Sequence, residues 1–490
     1  MPPVTRAPNV VLIMADQHRA DVLGCAGDTA VVTPNLDRLA AEGVRFSRTT
    51  CQGPLCMPAR ASFLTERYVR DHGVFTNWNA VEPGTPTYLH ALRAAGYHTV
   101  ALGKHHLTKE DEPARHMDDL ADRLVERGFA EVHETGDKFT LSVPTRYSDH
   151  LTERGLWDIY LQHLTDRSYQ GQSGRGDNPT KRIPMWDATP VPLPLPDYID
   201  PWHGDLAVDW LTGYTGDAPY FAFVGFPGPH DPWDAPQEAI DVYASGATSF
   251  PASTRRPDVE AAGSYGRLLS AFLRLSDTDT MDDDAIRGMR RAYAASVAVI
   301  DAQVGRILDA IEARGELDDT WVIYTSDHGE MGGNHGMMSK CVLYDPAVQV
   351  PLIVRPPGGR DGRVVDDLVE HLDVPATVRA IAGAPDVPGS DGRSLLGYVT
   401  GADPVARAVS VSENWGFASF DTGAHKLVVD EDSLRPCALF DRVEDPAEDV
   451  NVVADPAYAA VVEAVMTTHV RPFLATPPAR PYASPFTDHP

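Results

Sequence analysis

The sequence has few cysteines, few basic residues and no long apolar run, and each deficit excludes a class of protein. Five cysteines in 490 residues are too few, and odd in number, for a disulfide framework. Lysine and arginine total 42 against 70 acidic residues, and the net charge of −28 argues against a nucleic-acid partner. No apolar run approaches the roughly 20 residues of a membrane-spanning helix. The six-residue run Val10 to Ala15 is too short for a signal peptide, so we expect no membrane contact and a cytoplasmic location.

Two of the cysteines lie five residues apart in the stretch CQGPLCMPARASFLTER, which begins at Cys51. Their spacing differs from the close C-x-x-C pairs of zinc and redox sites, and no second pair lies nearby. Pro58 suits the first turn of a helix, which places Cys56 at a helix start, where free N–H groups favour an anion. Arg60 lies one turn further along the same face. This setting favours a reactive thiol, and a buried structural cysteine is the alternative.

Apolar runs and helical patterns alternate along most of the chain. Asn9 to Ala15 is continuously apolar, as expected of a strand buried on both faces of a mostly parallel sheet. Similar strands are predicted at 96–102, 220–225, 321–325 and 350–354. Helices are predicted at 33–43 and 88–95, and a long amphipathic helix at 293–311. This alternation predicts an α/β fold with helices flanking a large, mostly parallel sheet.

The pattern of predicted secondary structure changes near residue 405. We predict a catalytic α/β domain over 1–404, with polar, proline-rich insertions at about 134–203 and 243–283 that shape the substrate pocket. Short strand-like pieces and a final helix near 457–468 predict a small C-terminal α+β domain over 405–490. The proline-rich tail from Arg471 to Pro490 could pack on a second copy, so a homo-oligomer is compatible with the sequence.

Polar residues follow two of the predicted strands directly. Asp16 and Gln17 come after the first strand, and Asp327 and His328 follow the strand at 321–325. In α/β sheets, ligands bind beyond the carboxyl ends of the strands, and these side chains offer oxygen and nitrogen ligands. A single aspartate after a strand is commonly a turn former, but two such clusters predict a divalent metal site. We interpret His335, in a nearby glycine-rich loop, as a structural residue.

Four further basic groups follow predicted strands or lie near them in the chain order: Lys104, His106, His230 and Lys340. An acidic protein needs local cations of this kind to bind an anionic ester. Lys104 and His106 are alternate residues and therefore point the same way if the strand continues. His105 and His18 are interpreted as pocket wall or structure.

The motif Cys56-x-Pro-x-Arg60, followed by Thr65-Glu-Arg67, resembles the signature of the formylglycine-dependent sulfatases of the alkaline-phosphatase superfamily. Cys51 does not fit, because its proline stands one position too late and Leu55 replaces the arginine. Further matches follow in chain order, namely Asn9 to Asp16, Thr33 to Asp37, His72 to Val74 with Asn77, Gly103 to His106, Pro229-His230, Ser326 to Gly329, Lys340, Val350 to Ile353, Leu439 to Asp441 and Glu444 to Pro446.

The resemblance implies an alkaline-phosphatase-like fold and a sulfuric ester hydrolase. Cys56 would be oxidised to formylglycine (3-oxoalanine) by a formylglycine-generating enzyme, and the hydrated aldehyde would attack a small-molecule sulfate ester. Lys104 and Lys340 would hold sulfate oxygens, His230 or His106 would protonate the leaving alcohol, and Arg60 would stabilise the formylglycine. Asn77 would join Lys104, His230 and Lys340 in substrate binding. Asp16, Gln17, Cys56, Asp327 and His328 would hold one divalent metal.

The metal clusters depart from the family pattern. The family commonly has Asp-Asp and Asp-Asn, whereas this chain has Asp16-Gln17 and Asp327-His328, which makes manganese plausible beside calcium. The related phosphonate monoester hydrolases carry similar clusters, so such a hydrolase or a phosphodiesterase is the alternative function. The Lys104-x-His106 pair favours the sulfatase. A third hypothesis is a non-catalytic metal-binding homologue in which Cys56 stays unconverted.

Overall fold

The computed structural model describes residues 7–108, 114–141, 143–166, 184–244, 255–277, 279–402, 404 and 406–482. A large mixed sheet contains the strands β1 (Asn9–Asp16), β2 (Val44–Thr50), β3 (His98–Gly103), β4 (Glu131–Glu134), β5 (Tyr220–Pro229), β6 (Thr320–Ser326), β7 (Gln349–Arg355), β8 (Arg363–Val365) and β9 (Val369–Glu370). A smaller antiparallel sheet contains β10 (Ser410–Asn414), β11 (Phe417–Asp421), β12 (His425–Asp430) and β13 (Arg435–Asp441).

Helices precede, connect and follow these strands. They are α1 (Pro34–Ala41), α2 (Cys56–Thr65), α3 (Val69–His72), α4 (Tyr88–Ala94), α5 (Ala121–Val125), α6 (Arg146–Glu153), α7 (Trp157–Asp166), α8 (Ile199–Gly213), α9 (Gln237–Tyr243), α10 (Gly263–Leu275), α11 (Asp283–Ala313), α12 (Asp345–Val348), α13 (Asp373–Ala382), α14 (Leu396–Thr400), α15 (Ala459–Val465) and α16 (Arg471–Leu474). None of the helices in the described residues has the length and apolar character needed to cross a membrane.

The order β4-β3-β5-β1-β6-β7-β2-β8 places β1 near the middle of the large sheet. Strands β4, β3, β5, β1 and β6 are mutually parallel, and Leu12 of β1 is paired with Phe223 and Ile323 on its two sides. Strand β7 runs antiparallel to β6 and β2. The parallel strands therefore end along one edge, where polar residues from different parts of the chain meet.

Both faces of β1 are covered, which explains its uninterrupted apolar sequence. Leu12 packs on one face in a cluster with Phe63 of α2 and Val378 of α13. Ile13 packs on the opposite face with Ile300 and Ile307 of α11. All eight residues of β1 are buried, so α2 and α11 lie on opposite sides of the sheet.

The prediction of a mostly parallel sheet with a smaller C-terminal α+β part is confirmed. Strands β10 to β13 pack against α15 through a separate apolar cluster. The boundary at 404–405 stays a prediction, and the predicted insertions at 134–203 and 243–283 lie partly outside the described residues.

Candidate active site

Four strands deliver polar residues to one edge of the large sheet. Asp16 ends β1, Lys104 follows β3, His230 follows β5 and Asp327 follows β6. All four residues are buried. The position of Lys104 depends on Gly225, because a Cβ there would lie 1.9 Å from the Lys104 carbonyl oxygen. The Lys104 N–H donates to the Gly225 carbonyl at 3.0 Å, so β3 and β5 stay in contact up to the site.

Arg60 joins the ends of β1 and β6. Its Nη2 lies 3.1 Å from Asp16 Oδ2 and its Nε lies 2.8 Å from Asp327 Oδ2. Its Nη1 donates to the carbonyls of Lys104 and His105, both at 3.2 Å. A buried guanidinium with this many acceptors is fully satisfied, and it fixes α2 against three strand ends.

Cys56 is the first residue of α2 and is fully buried. Its Sγ lies 3.2 Å from His328 Nε2 and 4.0 Å from Asp16 Oδ1. Burial and Asp16 raise the pKa of the thiol, but Lys340, His328 and a hydrogen bond from His106 outweigh them. The pKa of Cys56 therefore lies well below its ordinary value, as expected of a group chosen for reactivity.

Four side chains fit a metal ion. The ligand atoms of Asp16, Cys56, Asp327 and His328 all lie within 4.8 Å of one another, and all four residues are buried. Burial and the neighbouring Asp16 raise the pKa of Asp327, because two carboxylates converge with little solvent between them. A bound cation would relieve this repulsion, and oxygen, nitrogen and sulfur donors suit a divalent metal.

Gln17 has a left-handed backbone, with φ of 68°. This conformation turns the chain at the end of β1 and lets the Gln17 N–H donate to Asp327 Oδ1 at 3.1 Å. The side-chain Nε2 donates to Asp231 at 3.3 Å and to Glu330, and Oε1 accepts from Lys340. The structure thus places Gln17 beside the four candidate ligands, and its role as a metal ligand stays a prediction.

The predicted cations surround the same point. Lys340 Nζ lies 2.5 Å from His230 Nε2, and His230 Nδ1 lies 3.1 Å from Asp231 Oδ1. Burial lowers the pKa of His230, but Asp231, Asp16 and other carboxylates raise it to about 9. His230 is therefore protonated near neutral pH and can donate a proton.

Asn77 and His106 lie near Cys56 in different ways. Asn77 Oδ1 accepts the Met57 N–H at 3.1 Å and so supports the first turn of α2. His106 is half-buried and hydrogen-bonds to the Cys56 thiol. Contact of either residue with substrate stays a prediction.

Several other residues have packing or hydrogen-bond partners that are compatible with their interpretation as structural residues. Cys51 lies in an apolar cluster, burial raises the pKa of its thiol, and all five cysteines are free. His105 bonds to Glu134 and to the Phe223 carbonyl, and His18 bonds to Tyr324 and the Val22 carbonyl. His335 is stacked on Tyr344 at 4.3 Å between ring centres.

A family model described as sulfatase matches residues 8–384. The chain belongs to the sulfatase family. A second model, described as the C-terminal part of N-sulphoglucosamine sulphohydrolase, matches residues 333–471. Family membership, with named sulfatases among the relatives, makes the chain a sulfatase enzyme and supports sulfate ester hydrolysis.

The relatives align with nearly the whole chain. An arylsulfatase of Clostridium perfringens is 26% identical over 92% of this chain and 91% of its own length. A multifunctional alkaline phosphatase superfamily protein, PehA of Trinickia caryophylli, is 27% identical over 93% of each. A solved structure of the phosphonate monoester hydrolase of Agrobacterium radiobacter is 27% identical, with a TM-score of 0.77 over 96% of this chain and 95% of that one.

Sequence reasoning missed four charged residues of this sulfatase site. Asp137 contacts Lys104, Asp231 and Glu330 contact Gln17, and Lys138 donates to the His230 carbonyl at 2.8 Å. Asp231 and Glu330 stand one and two residues beyond predicted site residues, so proximity in the chain was an available signal. Asp137 and Lys138 lie in a loop after the short strand β4, and the sequence carries no comparable signal for them.

Proposed function

We propose that the chain hydrolyses sulfate monoesters with a nucleophile made from Cys56. The observation that carries this proposal is the position of Cys56, at the start of α2 and within 4.0 Å of both His328 and Asp16. The surrounding cations, Lys104, His230 and Lys340, suit an anionic ester at this point.

Maturation would require a formylglycine-generating enzyme as a partner. Oxidation of Cys56 replaces the thiol by an aldehyde whose hydrate supplies a hydroxyl nucleophile and a second hydroxyl for release of sulfate. Arg60, which is buried one turn along α2, lies on the same side of the helix as Cys56 and supplies a fixed positive charge close to that group.

Asp16, Asp327, His328 and the converted Cys56 would hold one divalent metal, calcium or manganese, with Gln17 as a further ligand. The metal would supply Lewis acidity toward the ester and lower the pKa of the nucleophile. The protein supplies the geometry, because Arg60 keeps the two aspartates in place.

Lys104 and Lys340 would bind the non-bridging oxygens of the ester and stabilise the charge that develops there. Once Lys340 leaves His230 Nε2 for an ester oxygen, His230 would donate a proton from Nε2 to the leaving alcohol, since its pKa of about 9 favours the protonated ring. Asp231 orients the His230 ring through Nδ1. His106, which contacts Cys56, is the other candidate for proton transfer.

Intact mass spectrometry tests the nucleophile. Protein from a host with the converting enzyme should be about 18 Da lighter than the mass calculated for the unconverted sequence, which is the difference between a thiol and an aldehyde side chain. The loss should vanish in Cys56→Ala and persist in Cys51→Ala, which is the matched control. A wild-type protein of unaltered mass that still hydrolyses sulfate esters would refute the proposed nucleophile.

A phosphonate monoester hydrolase is the second candidate. The similarity to the Agrobacterium radiobacter enzyme, at a TM-score of 0.77, favours it. The Lys104-x-His106 pair, with Lys104 buried in the site and His106 on Cys56, favours the sulfatase. Turnover of an aryl sulfate and of an aryl phosphonate monoester should be compared directly, and a much faster phosphonate reaction would reverse the ranking.

A further inference from the structure

The two lysines of the site have different partners. Lys104 Nζ lies 2.6 Å from Asp16 Oδ2 and 2.5 Å from Asp137 Oδ2. Lys340 Nζ contacts His230 and the amide oxygen of Gln17. Within the part of the chain that the structure describes, no ion pair joins Lys340 to a carboxylate within 4.0 Å. Lys104 is therefore paired directly with two carboxylates, whereas Lys340 contacts a ring nitrogen and an amide oxygen and has Asp16 and Asp231 only as more distant charges.

The carboxylate of Asp137 is held in position. Its Oδ1 accepts the Lys138 N–H at 2.7 Å, and its own N–H donates to Thr140 Oγ1 at 2.8 Å. Its side chain is only 16% exposed, so water screens its charge weakly. Asp16 contacts Arg60 as well as Lys104, whereas Asp137 is in direct contact with Lys104 and also interacts electrostatically with His230.

We propose that Asp137 is a specificity-determining residue that makes the site select singly charged oxyanions over doubly charged ones. Sulfate esters carry one negative charge, whereas phosphate monoesters carry two near neutral pH. Asp137 cancels one positive charge on the wall that faces the ester, so the second charge of a phosphate meets a carboxylate. At a separation of several ångströms and an effective dielectric constant near 20, this repulsion corresponds to roughly a tenfold or larger discrimination.

This inference rests on the proposed function, because it places the ester beside Lys104. Its test avoids turnover and uses two competitive inhibitors of nearly the same shape, benzenesulfonate with one charge and phenylphosphonate with two. Inhibition or calorimetric binding is measured on the purified, metal-loaded enzyme at a pH of about 8.5, above the second ionisation of a phosphoryl group. Neither inhibitor can be hydrolysed, so the comparison stays possible even if sulfate turnover, and with it the proposed function, fails.

The expected result is that Asp137→Asn strengthens phenylphosphonate binding relative to benzenesulfonate by about tenfold. Asp137→Glu should keep the wild-type ratio, since it keeps the charge. Asp149→Asn, which removes a charge from an exposed position on α6, should also keep it.

If the ratio of the two inhibitor affinities is unchanged in Asp137→Asn, the charge of Asp137 does not discriminate between them and the proposal is overturned. If Asp137→Glu changes the ratio as much as Asp137→Asn does, the effect does not come from the charge and the proposal is likewise overturned. Should Asp137→Asn fail to fold, the wild-type enzyme decides. It should bind benzenesulfonate at least as tightly as phenylphosphonate, and a clear preference for phenylphosphonate would overturn the proposal.

Discussion

The candidate active site can be compared with a second buried charged group, the sheet-contact cluster of Asp345, Lys426, Arg442 and Glu448. In that cluster Lys426 lies 2.7 Å from Asp345, Arg442 lies 2.9 Å from Glu448, and the crossed pairs are also in contact. Two cations and two anions are in direct contact, and the buried carboxylate of Asp421 also interacts with this cluster. The cluster joins the antiparallel sheet to α12 of the main body.

The active site is not balanced in this way. Lys340 contacts a ring nitrogen and an amide oxygen rather than a carboxylate, and burial and the nearby Asp16 raise the pKa of Asp327. The pKa of Glu330 is raised to about 7, chiefly by burial. Burial raises the pKa of Glu448 in the sheet-contact cluster as well as that of Asp327, so a raised pKa does not distinguish the two groups. The difference lies in Lys340, which has no carboxylate in direct contact among the described residues, as expected of a cation that binds an anionic ligand.

Replacing Cys56 should have the largest effect. Cys56→Ala removes the proposed nucleophile, and kcat for an aryl sulfate should fall by about 10⁴-fold or more. Cys51→Ala, in an apolar cluster five residues away, should keep kcat within a few-fold. Similar losses in both variants would show that the stretch acts only through packing.

Removing the proposed metal should have the next largest effect. Chelation, or Asp327→Asn, should lower turnover by about a thousandfold, because Lewis acidity supplies several kcal/mol. For Asp327→Asn, elemental analysis should show less bound metal than for the wild type, and added metal should no longer raise the Tm. Asp345→Asn in the sheet-contact cluster should leave the metal response intact, and a response lost equally in both variants would contradict the assignment of ligands.

Replacing His230 should have a smaller effect that depends on the leaving group. His230→Ala should slow hydrolysis of alkyl or phenyl sulfates by about a hundredfold, within the range supplied by a general acid. Esters with acidic leaving groups such as nitrophenol should lose much less, since they need no proton. Rates across a series of leaving groups provide the measurement, and an equal loss for all esters would assign His230 to binding alone.

Changes in the sheet-contact cluster should affect turnover least. Lys426→Met leaves two buried carboxylates with one cation and should lower the free energy of unfolding by about 3–5 kcal/mol, with kcat within about threefold. The double variant Lys426→Met/Glu448→Gln should recover part of this loss. Denaturant unfolding measures the free energy of unfolding. A large fall in kcat would show that the sheet-contact cluster and the active site are coupled.

The strands that could be predicted from the sequence are those whose residues are uniformly apolar. Strands β1, β5 and β6 are buried on both faces and therefore appear as continuous apolar runs. Strand β2, which contains two arginines, was not predicted, because it lies toward the edge of the sheet where half-exposed positions tolerate polar residues. The antiparallel direction of β7 has no signature in its residues.

The candidate site also contains residues with a local sequence pattern and residues without one. Cys56, Asp16 and Asp327 stand in recognisable motifs at element ends, and the structure brings them together. Asp137 has no such pattern, because its effect depends on a contact with a lysine 33 residues away in the chain. The sequence indicates a pocket-forming insertion around Asp137. That the Asp137 carboxylate lies against Lys104 can be learned only from the structure.

The complete burial of Cys56 also bears on when the proposed conversion would take place. Its neighbour His328 lies 272 residues later in the chain, and ribosomes add about 5–20 residues per second. Roughly 15 to 55 seconds pass between synthesis of the two residues, and during this interval β6 does not yet exist to close the site. In the complete fold the Cys56 side chain has no exposed surface. The proposed converting enzyme would therefore have at least this interval before the site can close.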